Sequence, residues 1–227
     1  MSNLSLDRAL VLHLAVILSL YALFFVLPEY HQGIFSRILV LAIYALGYNV
    51  LFGYTGLLSL GHALYFAAGM YGTALTIKLL GWPVPLALLA GIGFALLVSL
   101  AVGALALRTI GVSFMIVTMM FAQAGYLTTL YFNEYTRGDE GFVIQQQERI
   151  VEFAGTTIDL SNADTRFLVA VTLFSICILL KLLLVRSASG RVLVALRENE
   201  ERTRMLGFSP RKYKLGAFVF SLSLIHI

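Results

Sequence analysis

Long apolar stretches recur along this 227-residue chain, and they constrain its fold more than any other feature. Six of them run over Leu10–Leu27, Ile38–Phe52, Leu57–Leu80, Leu86–Leu107, Gly111–Phe132 and Phe167–Val185, and a seventh begins at Leu215. Only 12% of the residues are charged, whereas a soluble domain carries about 25%. Because backbone polar groups in lipid need internal hydrogen bonds, such stretches cross a membrane as helices. We therefore predict an all-α polytopic membrane protein, with six full transmembrane helices plus a truncated seventh, in a single domain over residues 1–227.

Basic residues are concentrated in the polar segment Arg186–Lys214. Together with Lys181, this segment holds nine of the sixteen lysines and arginines. Cytoplasmic loops of membrane proteins carry an excess of positive charge, so we place the segment in the cytoplasm. Alternation of the spans then places the acidic connection at residues 133–166 outside the cell and the N-terminus in the cytoplasm. The same rule accounts for the net charge of +4 without a nucleic-acid partner.

The same basic segment has the pattern of an amphipathic helix with defined ends. Ser187 or Ser189 can cap its start, and Gly207 followed by Pro210 marks its end. Helical spacing predicts one apolar face and two i,i+4 ion pairs, Glu198 with Arg202 and Glu200 with Arg204. The residues of that face are Val192, Ala195, Leu196, Thr203 and Leu206. We expect a cytoplasmic coupling helix that docks a soluble partner; the alternative is a solvated, positively charged loop without a partner.

The chain carries none of the sequence patterns that mark common enzyme sites. The patterns GxxxxGK[ST], HExxH and GxSxG are absent, and Cys177 is the single cysteine. We therefore expect no enzyme activity, no metal site and no cofactor. The full spans also lack charged residues at their centres, where proton-coupled carriers usually have carboxylates. This favours a permease driven by an external motor over a stand-alone channel or carrier.

A glycine-rich block, Leu46–Gly72, joins the second and third spans with hardly a polar break. Such a block suggests broken or closely packed helices near the membrane interior, and glycine-interrupted apolar segments are typical of transporter binding sites. We predict that polar residues at membrane depth line a substrate path: Asn49, Tyr54, Thr55, Ser59, His62 and Gln123. For His62, the alternative is a hydrogen-bonded packing residue.

Small residues recur at every fourth position of the fourth span: Ala87, Gly91, Ala95, Ser99 and Gly103. Such a ridge lets a neighbouring helix approach closely, so we predict that it packs against another span. The alternative is that an apolar span is simply rich in Ala and Gly.

Several motifs together resemble one family. In the basic segment they are Ser189-Gly190-Arg191, Ala195-Leu196-Arg197-Glu198-Asn199-Glu200, Leu206-Gly207 and Lys214-Leu215. In the glycine-rich block they are Gly53-Tyr54-Thr55-Gly56, Ser59 with Gly61-His62, and Gly69-Met70-Tyr71. These resemble the LivM-like branched-chain amino acid permeases of ABC importers. The segment Thr136-Arg137-Gly138 is similar to the family's T-G-G, with Arg137 in place of a glycine.

The resemblance implies a permease in the bacterial inner membrane that carries branched-chain or related amino acids. It implies two ABC ATPase subunits that hydrolyse ATP, a second permease subunit and a periplasmic substrate-binding protein, besides the lipid bilayer. The spacing of Glu201 and Gly207 also matches the general ATPase-contacting pattern of ABC permeases, although both alanines of that pattern are replaced. Residues implied in ATPase coupling are Arg191, Arg197, Glu198, Asn199, Glu200, Glu201 and Gly207. The alternatives are a permease for urea or short amides, a stand-alone channel or carrier, and a structural membrane anchor.

The seventh apolar stretch has only about a dozen residues, against the ~20 that cross a bilayer. Its last six residues, Leu222–Ile227, read LSLIHI, which a transposase mosaic-end adapter of sequencing libraries encodes. We therefore expect the chain to be incomplete at its C-terminus and residues 222–227 to be non-native.

Overall fold

A computed structural model describes residues 2–142, 150–153 and 156–226, with side chains for residues 8–142, 150–151 and 158–223. These ranges contain ten α-helices. They are α1 (Ser2–Leu23), α2 (Glu29–Asn49), α3 (His62–Leu80), α4 (Val84–Ala106), α5 (Val112–Tyr131), α6 (Asn133–Thr136), α7 (Ala163–Arg186), α8 (Ala188–Glu198), α9 (Glu200–Met205) and α10 (Pro210–His226). A π-helical segment (Val50–Tyr54) continues α2, and a 3₁₀ turn (Gly138–Glu140) follows α6. Two antiparallel strands, β1 (Ile150–Phe153) and β2 (Thr156–Asp159), pair with Ile150 opposite Asp159.

Five of these helices are long and apolar enough to cross a membrane: α2 with its π-helical extension, α3, α4, α5 and α7. The chain is therefore a multi-pass, predominantly helical membrane protein. The first predicted span lies in α1, whose apolar part, Arg8–Leu23, is shorter than these five. The predicted count of six full spans is thus not confirmed by length and hydropathy. α10 has 17 residues over Pro210–His226, and the non-native origin of residues 222–227 stays a prediction.

The second span begins nine residues earlier than its apolar run indicated, at Glu29 instead of Ile38. Residues 29–37 are thus helical, whereas hydropathy leaves them between the first and second spans. Polar Gln32 interrupts the apolar pattern, but it is buried, and its amide group donates to the carbonyl oxygen of Leu27 at 3.1 Å. The side chain thereby closes the turn between α1 and α2.

The buried side chains form two clusters. One joins α1, α2 and α7 and contains Ile17, Ile43 and Val171, among others. The second joins the π-helical segment with α3, α4, α5 and α10, and Tyr65, Phe114 and Phe218 are its largest members. α10 is therefore packed into the bundle.

The predicted small-residue ridge lies on the buried face of α4. All five of its members, Ala87, Gly91, Ala95, Ser99 and Gly103, are buried. A Cβ atom at Gly91 would clash with the Thr73 hydroxyl and lie 2.7 Å from the Gly69 carbonyl oxygen, both on α3. A Cβ atom at Gly103 would lie 2.8 Å from the Phe218 ring on α10. The ridge thus packs against two helices, α3 near its start and α10 near its end.

The connection at residues 133–166 is more ordered than an acidic loop suggests, since it contains α6, the 3₁₀ turn and the β1–β2 hairpin. Its residues 143–149 and 154–155 lie outside the described part. Arg137 has a φ of 56°. This left-handed conformation is disfavoured for residues with a side chain. The Arg137 carbonyl oxygen accepts from the Glu140 N–H at 3.0 Å, and this hydrogen bond closes the 3₁₀ turn that follows α6.

Candidate functional site

The junction of α2 and α3 is a broken helix. After Asn49 the backbone continues as the π-helical segment Val50–Tyr54, and residues 57–61 are not helical. Gly56 has a φ of 72°, a conformation that glycine adopts without strain. π-Helical segments occur frequently at functional sites, because they change the direction of side chains within a continuous helix. Of the two alternatives for this block, broken or closely packed helices, the structure has a broken helix, and the third span begins at His62 instead of Leu57.

Hydroxyl groups hold the non-helical segment in place. Thr55 Oγ1 donates to the Leu51 carbonyl oxygen, and Ser59 Oγ accepts from the Gly61 N–H at 3.3 Å. From α5, Thr118 Oγ1 accepts from the Leu60 N–H at 3.2 Å. Thr55 and Ser59 are buried. Thr55 Oγ1 also accepts from the Leu57 N–H at 3.4 Å, so the two hydroxyls provide acceptors for N–H groups in the non-helical segment.

His62 starts α3 and is enclosed by aromatic rings. Its Nε2 lies 3.2 Å from Ser221 Oγ on α10, and that hydroxyl donates to the Gly47 carbonyl oxygen on α2 at 2.6 Å. The rings of Tyr44, Tyr48, Tyr65 and Phe218 pack edge-on around the imidazole, with centroids 4.9–6.3 Å away. The histidine therefore joins three helices, α2, α3 and α10.

Two buried polar atoms in this cluster have no hydrogen-bond partner among the described residues. They are His62 Nδ1 and the Tyr65 hydroxyl. An unpaired buried polar group costs about 1–3 kcal/mol. Buried polar atoms therefore usually have a hydrogen-bond partner, either in the protein or in a bound water molecule or ion. The hydrogen bond of Nε2 agrees with a packing role for His62, and a substrate or gating contact stays a prediction.

The six predicted pathway residues do not form one cluster. Thr55, Ser59 and His62 lie together at the broken helix, whereas Asn49 on α2 and Gln123 on α5 have exposed side chains. The Tyr54 ring is half-buried, with the Lys181 ammonium 6.0 Å from its centroid. The role of these residues in a substrate path stays a prediction.

The polar segment between α7 and α10 forms two helices, α8 and α9, instead of one. Asn199 breaks the helix with a φ of −157° and caps α9, since its side chain accepts from the Arg202 N–H at 2.9 Å. Ser187 caps α8 in the same way. An Asn before Glu200 and Glu201 is a helix-start signal that the sequence already contained. The buried face consists of Gly190, Leu193, Leu196 and Thr203, and the predicted face was wrong for Ala195 and for Leu206, which is 70% exposed.

The ion pairs also differ from those that helical spacing predicted. Glu198 pairs with Arg197 at 2.7 Å instead of with Arg202, because the break at Asn199 interrupts the i,i+4 spacing. Glu200 pairs with Lys214 of α10 at 2.5 Å instead of with Arg204. Arg191 and Glu201 are exposed, and Gly207 ends α9 with a φ of 88°.

Two contacts tie α8 to the membrane helices. The Arg197 guanidinium donates to the Gly53 carbonyl oxygen in the π-helical segment at 2.6 Å. Gly190 packs against the end of α7, where a Cβ atom would clash with the Leu184 carbonyl oxygen and lie 2.5 Å from that of Val185. Sequence reasoning missed both contacts, because no local pattern marks them.

Beside α9, a cavity of about 560 Å³ is lined by Leu57, Glu200, Arg204, Phe208 and Lys214, among others.

A family model and two curated proteins that match the chain all belong to the same family of membrane proteins. The family model described as "Branched-chain amino acid transport system / permease component" matches residues 31–224. The chain is 32% identical over 207 residues to the high-affinity branched-chain amino acid transport system permease protein LivM of Escherichia coli (strain K12), and the match covers 81% of the chain and 47% of the relative. The LivM protein of Salmonella typhimurium (strain LT2) is also 32% identical, over 205 residues with the same coverage. The chain thus spans about half the length of these curated relatives, and no solved structure matches it significantly.

Proposed function

Because the chain belongs to the family of permease components of branched-chain amino acid transport systems, we propose that it is a membrane-spanning subunit of an ABC importer. It carries branched-chain or related amino acids across the inner membrane, with the N-terminus in the cytoplasm. Two ATPase subunits hydrolyse ATP in trans, a second permease subunit completes the path, and a periplasmic binding protein delivers the substrate. The substrate class rests on the names of the relatives.

One observation carries the coupling step of this proposal: the hydrogen bond from Arg197 to the Gly53 carbonyl oxygen. Arg197 lies on α8, which has a polar outer face and is anchored by Leu193 and Leu196. Gly53 lies in the π-helical segment, next to the residues that hold the broken helix. A displacement of α8 therefore reaches the π-helical segment through this hydrogen bond.

A second connection runs through α10. Glu200 of α9 pairs with Lys214 at the start of α10, and Ser221 further along α10 contacts His62. α8 and α9 thus act on the same broken helix from two sides. We propose that ATPase closure moves α8 and α9 together, and that the π-helical segment and α10 respond by shifting around His62. Such a rearrangement would switch the path between its outward-open and inward-open forms.

Glu201 offers the sharpest test of docking. It is exposed on α9 and has no ion pair among the side chains that the structure describes. Glu201→Lys should therefore weaken binding of the ATPase without disturbing the fold. Glu140→Lys, an exposed charge reversal beside α6, is the matched control.

The experiment co-expresses the chain with the ATPase and permease subunits encoded nearest to it and supplies the binding protein encoded there. It measures co-purification of the ATPase, ATP hydrolysis and uptake in vesicles. We expect ATP-dependent uptake of leucine by the wild type. Glu201→Lys should lose both co-purification of the ATPase and uptake, whereas Glu140→Lys should retain both. Uptake of urea or a short amide instead of leucine would support the alternative substrate class. Uptake without ATP would indicate a stand-alone channel or carrier, and absence of any solute-dependent ATPase stimulation would indicate a structural anchor.

A further inference from the structure

A groove of about 410 Å³ lies between the first halves of α2 and α7, at the end of the bundle opposite α8 and α9. Both helices run in the same direction, since the extension of α2 reaches α8 at Gly53 and α7 is followed directly by α8. On α2 the groove is lined by Gly33, Ser36, Arg37 and Val40. Their spacing of i, i+3, i+4 and i+7 makes them one continuous face of the helix.

The α7 side of the groove repeats this spacing. Arg166, Val169 and Leu173 line it at i, i+3 and i+7. On each helix the arginine lies nearer the membrane surface and the apolar residues lie deeper. Val40 lies about 5 Å beyond Arg37 along the helix axis, and Leu173 about 10 Å beyond Arg166. The groove thus has a positively charged mouth and an apolar interior.

Neither arginine has an anionic partner within the described part of the chain. Both side chains are exposed. Two like charges that share one groove repel each other, and an anion between them would remove this repulsion. The groove is therefore complementary in charge to a negatively charged group at membrane-surface depth.

We infer that this groove is a binding site for an anionic phospholipid. Its phosphodiester group binds between Arg37 and Arg166, where arginine offers a geometry suited to phosphate oxygens. An acyl chain lies along Val40, Val169 and Leu173. Gly33 leaves room for the headgroup, because no atom lies within 4 Å of the position where its Cβ would stand. A free phosphate ion would make no use of the apolar interior.

Substitutions at three positions separate the charge and the shape of the site. Arg37→Gln and Arg166→Gln remove one charge each and should each weaken phosphatidylglycerol binding about fivefold, with a larger loss in the double variant. Gly33→Leu fills the groove while both charges remain, and should also weaken binding. It should fold normally, because the position is open and leucine favours a helix over glycine. Gly93→Leu on α4, another helical glycine in open space, is the matched control.

Native mass spectrometry of the purified full chain in detergent would measure binding of phosphatidylglycerol and phosphatidylcholine, with circular dichroism as the check on folding. We expect the wild type and Gly93→Leu to prefer phosphatidylglycerol, and the double arginine variant and Gly33→Leu to lose this preference. Equal binding of the two lipids by the wild type, or an unchanged preference in the double variant, would overturn the inference. Full competition by millimolar inorganic phosphate would instead assign a free-anion site. Loss of binding-protein-dependent uptake with unchanged lipid binding would assign the groove to a protein partner.

Discussion

Gly91 on α4 and Thr73 on α3 are in such close contact that the position of Gly91 has no room for a Cβ atom. The Gly69 carbonyl oxygen lies on the same side, 2.7 Å from where that atom would stand. The neighbouring atoms include backbone, which cannot move aside as a flexible side chain can. The approach of α3 to α4 therefore depends on a glycine at this position.

Gly91→Leu should disrupt the packing of α3 on α4. Introducing a large side chain into a close helix contact usually costs about 1–3 kcal/mol, and the nearby backbone atoms place this site at the upper end. Thermal unfolding and size-exclusion chromatography in detergent would show a lower midpoint and a lower monodisperse yield. Gly93→Leu, two residues away in open space, should behave like the wild type. Equal behaviour of the two variants would contradict the packing role of the ridge.

Arg197→Gln should impair transport more than stability. The hydrogen bond to Gly53 is lost, but Arg197 is 44% exposed, so the free energy of unfolding should fall by no more than about 1 kcal/mol. Transport in vesicles that contain the partner subunits should fall at least tenfold, because α8 no longer acts on the π-helical segment. Lys212→Gln removes an exposed charge near α9 and serves as control. A parallel loss of stability and transport would indicate a structural role only.

The long helices could be predicted from the sequence, because an apolar run of membrane length has few other folds available to it. The ridge at Gly91 was visible for the same reason: a repeat of four residues is local. The start of α2 could not be predicted, because a glutamine such as Gln32 is typical of a loop. Its hydrogen bond to the Leu27 carbonyl oxygen is known only from the structure. The position of a polar side chain in a membrane helix thus depends on its hydrogen-bond partners, which hydropathy does not describe.

The site was predicted less completely than the fold. Thr55, Ser59 and His62 were identified as polar residues at a broken helix, but the partners of His62 lie on α2 and α10, far away in the sequence. The break at Asn199 could have been found, since an N-cap residue before two glutamates is a local signal. The contact between Arg197 and Gly53 could not have been found from the sequence, since it depends on how α8 packs against the bundle.

Gly207→Pro should abolish transport while leaving the protein in the membrane. Gly207 has a φ of 88°, which proline cannot adopt, and its N–H donates to the Arg204 carbonyl oxygen at 2.9 Å. The substitution would therefore alter the exit from α9 and separate Glu200 from Lys214. Membrane fractionation and vesicle uptake would measure the two effects. Gly216→Ala on α10, where no neighbouring atom lies within 4 Å, should retain transport. Wild-type uptake by the proline variant would contradict the coupling role of α9.

Arg137→Gly should stabilise the protein. Arg137 has a φ of 56°, and the left-handed region costs a residue with a side chain about 1–2 kcal/mol. Glycine removes this cost but adds about 0.4–1 kcal/mol of chain entropy to the unfolded state, so the net gain should be about 1 kcal/mol or less. Arg137→Gln is the matched control, because it removes the charge and keeps the strained backbone. Thermal unfolding in detergent should show a higher midpoint for the glycine variant alone. An equal rise in both variants would mean that the charge, and not the backbone conformation, is the source of the cost.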